Sequence, residues 1–460
     1  MFYSSTRGID KNKRFKEILL NGLAKDGGLY IPESLKKFSY TELKCLRSLN
    51  YPELAFEVTK DFISSDIPHD KYKEICYKTY SKVFGKDIIS FHKLSNNEYI
   101  ANLFHGPTFA FKDFALQLLG NIYDFFLKEE EKKLTIIGAT SGDTGSAAIY
   151  GCSQSEKIKI FILFPKGKVS EIQRRQMTTF NKSNVFNIAV NGNFDDCQKL
   201  VKDFFNINNK KKEVNLAAVN SINWVRIMGQ LVYYFWSFFR VSDDLNPISF
   251  VVPTGNFGNA YAGFVSKKMG LPIEKIVVGS NKNDILTRFF KSGKMLIKKP
   301  KKTLSPSMDI QVSSNFERLL FEYIADGKMI SKHFKKLETN GEFEVCSENL
   351  ERMKCIFKSG KLNDEKTKET IKFIKDKYNI ILDPHTAVGI AVGKKELSNQ
   401  DKRVYLATAH YGKFLDTINL SLCKKIKYPV KLEKLTKKKE KYYEIDNKLE
   451  EFKSFVLKNN

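Results

Sequence analysis

LTIIGATSGDTGSAA, residues 134–148, passes from a short apolar run through a glycine-rich turn into small residues typical of a packed helix. FVVPTGNFGNA, residues 250–260, repeats this order. In such turns glycine lets backbone N–H groups converge on an anion, and the start of the following helix adds a favourable dipole. Neither turn has the glycine spacing of a dinucleotide fingerprint or of a P-loop. Each is therefore either a structural turn or an anion cradle, and two of them in one chain favour a ligand held between domains.

Further short apolar runs alternate with longer amphipathic patterns along the chain. The clearest helix covers 224–239, where apolar side chains recur at spacings of three and four. This alternation predicts an α/β fold with mostly parallel, helix-flanked sheets. The predicted strands are 134–137, 158–164, 185–190, 248–252, 276–279, 379–382 and 404–407.

The domain organisation follows from where these patterns change. Residues 1–85 have mostly helical patterns and predict a smaller N-terminal domain. Residues 86–215 and 216–460 predict two α/β domains, one with the first glycine-rich turn and one with the second. From Lys424 onward the chain is highly charged, which predicts a peripheral helix or tail.

Composition excludes several classes of protein. A chain of 460 residues that is 42% hydrophobic can form large cores. Its longest apolar helical run, 227–239, is shorter than the roughly 20 residues that span a bilayer. The first twenty residues are too charged for a secretory signal, and seven cysteines without a C-x-x-C pair indicate reduced thiols. We therefore expect a cytoplasmic protein that is not embedded in a membrane. The scattered histidines predict no metal site.

Net charge is the compositional feature that most suggests a nucleic-acid-binding protein. Lysine and arginine number 77 against 52 acidic residues, a formal charge of +25, which a nucleic-acid-binding protein could also have. The lysines are spread along the whole chain, and the densest clusters do not lie beside stacking aromatics. This distribution favours a solvated surface, or a positive field that attracts a small anionic substrate.

Lys112 lies in FHGPTFAFKDFALQLL, residues 104–119, among aromatic and aliphatic residues. Lysine is rarely buried unless it is paired or reactive, and burial would favour the nucleophilic amine that forms a Schiff base. The alternative places Lys112 and Asp113 on the exposed face of an amphipathic helix. The pattern alone favours that alternative.

Polar residues also open the long helix, in NSINWVR, residues 220–226. Ser221, Asn223 and Arg226 could present a hydroxyl, an amide and a guanidinium to one anion. Ordinary helix capping with a surface arginine is the alternative, and without further information it is preferred.

Several longer motifs extend these segments over nearly the whole chain. They are Ser5-Thr-Arg-Gly8, Gly22-Leu-Ala-Lys-Asp-Gly-Gly-Leu-Tyr30, His105-Gly-Pro-Thr-Phe-Ala-Phe-Lys-Asp113, Pro165-Lys-Gly-Lys168, Thr303-Leu-Ser-Pro-Ser-Met-Asp-Ile-Gln-Val-Ser-Ser-Asn-Phe-Glu-Arg318, Asp383-Pro-His-Thr-Ala387 and Leu406-Ala-Thr-Ala-His410. Together they make the chain similar to the threonine synthase family, pyridoxal-phosphate enzymes of the tryptophan-synthase β-subunit fold type. The resemblance implies that the cofactor lies between the two sheet domains.

The resemblance assigns the cofactor residues. It implies that Lys112 is the catalytic residue and carries pyridoxal 5'-phosphate as a Schiff base, and that Thr408 lies at the pyridine nitrogen. Asp143 would touch the ring oxygen, where many relatives of the wider fold type have asparagine. Such a carboxylate must be hydrogen-bonded or protonated, and both alternatives are open. The cofactor phosphate would be bound by Gly255, Asn256, Phe257, Gly258 and Asn259.

The resemblance also implies a substrate and a reaction. Ser141, Gly142 and Thr144 would bind the substrate carboxylate. The substrate phosphate would be bound by Ser221, Asn223 and Arg226. The expected reaction converts O-phospho-L-homoserine and water to L-threonine and phosphate by γ-elimination and β-addition of water, in a monomer or homodimer that binds no nucleic acid.

Three alternatives to this function stay open from the sequence. A related phospholyase would release a keto acid from the same kind of substrate. A nucleotide-binding α/β enzyme is disfavoured by the missing fingerprints, and a basic nucleic-acid-binding protein is disfavoured by the spread of lysines.

Overall fold

The computed structural model describes residues 1–85, 87–211 and 213–460, and these residues form two units. The large unit comprises residues 1–105 and 221–426, and the small unit comprises residues 106–220 and 427–460. The chain therefore contributes to each unit twice. The division into three domains at residues 85 and 215 stays a prediction, and residue 86, where its second domain begins, lies outside the described residues.

The secondary structure alternates between strands and helices through most of the chain. The strands are β1 (Tyr3–Ser5), β2 (Tyr30–Pro32), β3 (Ser90–Lys93), β4 (Glu98–Asn102), β5 (Leu134–Ala139), β6 (Ile158–Pro165), β7 (Val185–Asn191), β8 (Leu216–Ala218), β9 (Ile248–Pro253), β10 (Ile273–Ser280), β11 (Lys294–Leu296), β12 (Glu342–Glu344), β13 (Phe357–Lys361), β14 (Arg403–Ala407) and β15 (Tyr443–Asp446).

The α-helices are α1 (Phe15–Asn21), α2 (Tyr40–Arg47), α3 (Tyr51–Ile63), α4 (His69–Val83), α5 (Lys112–Glu129), α6 (Asp143–Cys152), α7 (Glu171–Thr178), α8 (Phe194–Lys211), α9 (Trp224–Val241), α10 (Gly258–Lys268), α11 (Ile285–Ser292), α12 (Phe316–Ile324), α13 (Gly327–Asn340), α14 (Ser347–Lys354), α15 (Asp364–Tyr378), α16 (Pro384–Glu396), α17 (Leu415–Leu422), α18 (Val430–Thr436) and α19 (Leu449–Asn459). Among the described residues, none of the helices is both long and apolar enough to cross a membrane.

The N-terminal part of the large unit is mainly helical, as the sequence predicts. Helices α2 and α3 begin at capping boxes, in which Ser39 and Asn50 accept from the backbone N–H groups of Glu42 and Glu53. The carboxylates of the two glutamates in turn accept from the backbone N–H groups of Ser39 and Asn50. Strands β1 and β2 pair antiparallel.

A six-stranded sheet forms the centre of the large unit, in the order β13-β10-β9-β14-β4-β3. All neighbouring strands are parallel except β3, which runs antiparallel to β4 at one edge. Helix α16 packs on β9, β10 and β14. The small unit has a five-stranded, wholly parallel sheet in the order β15-β7-β6-β5-β8. These sheets confirm the predicted α/β class.

One predicted strand, 379–382, is wrong. Asn379 has a left-handed φ of 57° and ends α15, and the next residues connect α15 to α16 without pairing in a sheet. Ile380, Ile381 and Leu382 nevertheless pack against the core of the large unit. The apolar run therefore reports burial of a connection, which periodicity alone does not distinguish from a strand.

The C-terminal segment differs from the predicted peripheral helix or tail. Strand β15 pairs with β7 at the edge of the small-unit sheet. The following helix α19 buries Phe452 and Val456 in the small-unit core. Residues 443–459 are thus an integral part of this unit, because their few apolar residues are placed at the spacings that one strand and one helix need.

Candidate active site

Lys112 is the first residue of α5, and the turn before it is fixed by its neighbour Asp113. The Asp113 carboxylate accepts hydrogen bonds from the backbone N–H and the hydroxyl of Thr108, both at 2.8 Å. Phe109 in this turn has a left-handed φ of 57°. Gly106 is required because a Cβ there would lie 2.4 Å from Asp113 Oδ2. Asp113 is fully buried, so an exposed helix face for this pair is wrong.

The Lys112 amine lies 3.2 Å from Oδ2 of Asp143, the first residue of α6. The two side chains are only 13% and 5% exposed. The second oxygen, Oδ1, accepts a hydrogen bond of 2.8 Å from Nε2 of Gln173 on α7. Each oxygen of the Asp143 carboxylate therefore has one hydrogen-bond donor.

The turn from β5 into α6 contains Ser141, Gly142 and Thr144, which flank Asp143 in the sequence. Thr140 Oγ1 accepts from the backbone N–H groups of Gly142 and Gly145, which closes the turn. Gly142 has φ of 143°, and a Cβ there would lie within 2.9 Å of the Gln173 side-chain amide. Ser141 is exposed and Thr144 is partly exposed, so their hydroxyls are accessible to a ligand.

The second glycine-rich turn lies in the large unit, between the end of β9 at Pro253 and the start of α10 at Gly258. Phe257 adopts a left-handed φ of 61°, and its ring is buried against Phe316. A Cβ at Gly255 would lie 2.6 Å from the carbonyl oxygen of Ser307. The turn is therefore held tightly from behind, and its backbone leads directly into the N-terminus of an eleven-residue helix.

Asn259 gives this turn an unused donor. Its Oδ1 accepts from the hydroxyls of Tyr233 and Tyr234, at 2.6 Å and 3.0 Å. Its Nδ2 is buried and has no hydrogen-bond partner among the described residues. A buried donor at the start of a helix suits an anion, because both the N–H group and the helix dipole favour negative charge. The residues present therefore fit a phosphate group.

Helix α9 begins with the predicted polar residues, but they do not all have the same environment. Asn223 caps the helix by accepting from the Val225 N–H, and its Nδ2 donates to the carbonyl of Leu19. Both polar ends of Asn223 are thus committed to the fold. Ser221 Oγ lies 3.2 Å from Ser314 Oγ. Arg226 is 4% exposed, and burial lowers the pKa of its guanidinium to about 10, so it is charged at neutral pH.

The remaining predicted residue, Thr408, follows the C-terminal end of β14 and is buried. Within the small unit, the structure brings Lys112 and Asp143 into contact. Within the large unit it connects the turn at residues 255–259 to the start of α9 through Asn315, whose amide donates to the carbonyls of Asn256 and Ser221.

Sequence reasoning gave no role to Gln173, Ser313, Asn315 or Arg318. The last three lie in the motif Thr303–Arg318, which was one of the stretches that carry the resemblance, and this is the signal that could have identified them. Gln173 lies outside every quoted motif. Its contact with Asp143 depends on how α7 packs beside α6, which the sequence pattern does not reveal.

Comparison with known families gives matches along most of the chain. Residues 2–80 match the model of the threonine synthase N terminus, residues 89–336 match that of pyridoxal-phosphate dependent enzymes, and residues 386–456 match the threonine synthase C-terminal model.

Individual proteins are similar over their full length. The chain is 42% identical to threonine synthase of Pseudomonas aeruginosa, with 99% of this chain and 98% of that protein covered. It is 40% identical to threonine synthase of Saccharomyces cerevisiae, with 96% and 95% covered. A crystal structure of pyridoxal-phosphate-bound threonine synthase from Brucella melitensis superimposes with a TM-score of 0.96 at 40% identity, covering 100% of this chain and 99% of that one.

Proposed function

The chain belongs to the threonine synthase family of pyridoxal-phosphate enzymes, and on this premise we propose that it converts O-phospho-L-homoserine and water into L-threonine and phosphate. The reaction is a γ-elimination of phosphate followed by addition of water at Cβ, and it completes threonine biosynthesis. The observation that carries the residue assignments is the Lys112 amine, buried at the start of α5 and 3.2 Å from Asp143.

Pyridoxal phosphate supplies an electron sink, which makes removal of a Cα proton from an amino acid feasible. We assign its covalent attachment to Lys112. The same amine is the base for the proton transfers at Cα and Cβ of the substrate, because among the assigned groups it is the one that must reach the reacting carbons. Asp143 orients this amine through their hydrogen bond, and Gln173 holds Asp143 in place.

The turn Gly255, Asn256, Phe257, Gly258 and Asn259 would hold the cofactor phosphate. The buried, unused Nδ2 of Asn259 and the N-terminus of α10 support this assignment. Thr408 would hydrogen-bond the pyridine nitrogen through its hydroxyl, which can donate or accept.

The substrate brings a second phosphate and a carboxylate. Arg226 offers a buried guanidinium, a group suited to a phosphate, and Ser221 lies five residues before it. Asn223 supports this helix start by capping it, so its contribution to the phosphate would come through position. The exposed Ser141 and the N–H groups of the turn at Gly142 and Thr144 would meet the carboxylate.

We propose a cytoplasmic enzyme, monomer or homodimer, that binds no nucleic acid. Its seven cysteines are unpaired thiols, which is usual for proteins of reducing compartments.

One assay tests the function directly. Purified protein loaded with pyridoxal phosphate is incubated with O-phospho-L-homoserine, and threonine, 2-oxobutyrate and phosphate are quantified separately. We expect threonine and phosphate in equal amounts. Phosphate accompanied mainly by 2-oxobutyrate would identify a phospholyase instead, and absence of both organic products would reject the proposed reaction.

A further inference from the structure

The segment Ser313–Arg318 has no role in the proposed function, although it contacts both of the assigned phosphate sites. Asn315 is fully buried, and its Nδ2 donates at 3.1 Å to the carbonyl oxygens of both Asn256 and Ser221. Its backbone N–H donates to the same Asn256 carbonyl, also at 3.1 Å. One side chain therefore touches the turn that we assign to the cofactor phosphate and the helix start that we assign to the substrate phosphate.

Arg318 fixes the orientation of this amide. Its Nη1 donates to Asn315 Oδ1, which leaves Nδ2 to face the two carbonyls. Its Nη2 donates to the carbonyl of Ile222 at 2.6 Å, and its Nε donates to the carbonyl of Tyr30 at 3.0 Å. Burial lowers the pKa of Arg318 to about 10, and the guanidinium is still charged at neutral pH because that value lies well above 7. The network thus holds residues 221 and 222 from two points.

Ser313 makes a separate contact with only one of the two sites. Its hydroxyl donates at 2.7 Å to the carbonyl of Gly255, in the cofactor turn. This residue provides a natural control for Asn315, because both belong to one short segment and both support residues 255–256.

We propose that Asn315 is a positioning residue for both phosphate sites, so that one buried amide sets the cofactor turn and the start of α9 together. The proposal rests on the proposed function, in which Gly255–Asn259 binds the cofactor phosphate and Arg226 binds the substrate phosphate. A buried carbonyl that loses its donor carries a penalty equal to roughly five- to one-hundred-fold in binding. Removing the Asn315 side-chain amide takes the Nδ2 donor from the Ser221 carbonyl, and it leaves the Asn256 carbonyl with the backbone N–H of residue 315 alone.

Two measurements on each variant test the proposal: the Kd of pyridoxal phosphate for the apoprotein, and the inhibition constant of inorganic phosphate for the cofactor-saturated enzyme. We expect Asn315→Ala to weaken phosphate inhibition by about tenfold and cofactor binding by a smaller factor, because the Asn256 carbonyl keeps the backbone N–H of residue 315. Ser313→Ala should weaken cofactor binding with little change in phosphate inhibition. Arg226→Leu should weaken phosphate inhibition with little change in cofactor binding.

Asn315→Asp provides a second variant in case alanine prevents folding. Aspartate keeps an acceptor for Arg318, but its ionised carboxylate lacks the donor, so both constants should again weaken. Circular dichroism and an unfolding transition check that each variant is folded before its constants are compared. If Asn315 variants change only cofactor binding, as Ser313→Ala does, the positioning of two sites is wrong while the proposed function stands. If Arg226→Leu leaves phosphate inhibition unchanged, the assigned phosphate site itself is wrong and this inference fails with it.

Discussion

Lys112 and Asp143 decide, at the scale of single residues, which chemistry the small unit can perform. The amine begins a helix, is largely shielded from solvent, and has a carboxylate at 3.2 Å. A lysine in this environment is held in one place rather than sampling solvent, as a residue that must meet a reacting carbon requires. The fully buried Asp113 next to it is used entirely to shape the turn, through Thr108.

Lys112→Ala should abolish turnover while leaving the fold intact. The variant lacks both the covalent attachment and the base, so kcat should fall by at least about a thousandfold, and some pyridoxal phosphate should still bind noncovalently. Borohydride reduction followed by peptide mapping checks the attachment in the parent protein. Lys128→Ala is the matched control, since Lys128 is exposed in the last turn of the same helix. A pyridoxyl label on any lysine other than Lys112 would show that the assignment is wrong.

Arg226→Leu should weaken the use of the phosphorylated substrate and spare the cofactor. Losing a charge-assisted pair in a dry site costs about 2 to 4 kcal/mol, or roughly 30- to 1,000-fold in kcat/KM for O-phospho-L-homoserine. The absorption band of bound pyridoxal phosphate should persist. L-Serine, which has no phosphate, should bind poorly to both proteins, and its affinity for the two should be nearly the same.

Arg240→Leu serves as the control for Arg226, because Arg240 lies at the other end of α9, is exposed, and stacks over Trp236. It should leave kcat/KM nearly unchanged. Loss of the cofactor in Arg226→Leu, or equal weakening of serine and phosphohomoserine, would place Arg226 in the cofactor site or in the fold.

At the scale of elements, the turn between β9 and α10 depends on how closely other backbone approaches it. A Cβ at Gly255 would lie 2.6 Å from the Ser307 carbonyl oxygen. A Cβ at Gly258 would have side-chain atoms as its nearest neighbours, Asn315 Nδ2 at 3.3 Å and Ile227 Cδ1 at 3.8 Å. Backbone is harder to displace than the end of a side chain. The two glycines of one turn therefore differ in what they tolerate.

Gly255→Ala should weaken pyridoxal phosphate binding more than Gly258→Ala does. Overpacking against a backbone carbonyl costs about 1 to 3 kcal/mol, so the Kd of the cofactor should rise roughly five- to one-hundred-fold for Gly255→Ala and by a smaller factor for Gly258→Ala. Cofactor titration by absorbance measures both, with circular dichroism as the check on folding. Equal affinities in the two variants would mean that the Ser307 contact does not hold the turn.

The elements also show what the sequence could and could not specify. Strands β5, β6, β7, β9, β10 and β14 were predictable because each is an apolar run buried on both faces of a parallel sheet. Strand β13, with the sequence Phe357-Lys-Ser-Gly-Lys361, lies at a sheet edge and carries no such run. Residues 379–382 contain an apolar run, but they form the connection between α15 and α16 and pack against the core without pairing in a sheet. Whether such a segment becomes a strand depends on the strand that it can pair with, and that partner strand is distant in sequence.

The candidate site also has residues that the sequence could identify and residues that it could not. Motifs brought Lys112, Asp143 and the turn at residues 255–259 to attention, and the resemblance supplied their roles, which stay predictions. The supporting contacts from Gln173 and Asn315 join segments between 30 and 94 residues apart, so no local pattern marks them. The Asn223 side chain illustrates the reverse case, because its position in the motif suggested a ligand contact while its atoms cap α9 and bind the Leu19 carbonyl.

At the scale of the whole chain, the C-terminal segment returns to complete the small unit. Glu440 accepts from Arg174 through both carboxylate oxygens, at 2.8 Å and 2.9 Å, and from the Thr178 hydroxyl at 2.7 Å. Both partners belong to α7, the helix whose Gln173 holds Asp143. The segment after residue 426 thus stabilises the helix that supports the lysine site.

Glu440→Gln should destabilise the small unit by about 1 kcal/mol at pH 7, because it removes the charge from a bidentate pair that is mostly shielded from solvent. The hydrogen bonds from Arg174 lower the pKa of Glu440 in the folded state. The carboxylate therefore stabilises fully above the unfolded-state pKa of about 4.3, and this stabilisation is lost as the pH falls through the lower folded-state value.

The midpoint of urea unfolding, followed for parent and variant from pH 7 to pH 3, separates this pair from the other charges of the chain. The difference between the two proteins should be constant near neutral pH and shrink as the pH falls below about 4.3 toward the lower folded-state pKa of Glu440, below which both proteins carry a neutral group at position 440. Glu444→Gln is the matched control. Glu444 belongs to the same C-terminal segment and pairs with Lys166, but both side chains are nearly half exposed. Its effect on the free energy of unfolding should therefore stay within about 0.5 kcal/mol. A difference for Glu440→Gln that equals this control, or that does not change with pH, would mean that the segment is held by β15 and the apolar face of α19 alone.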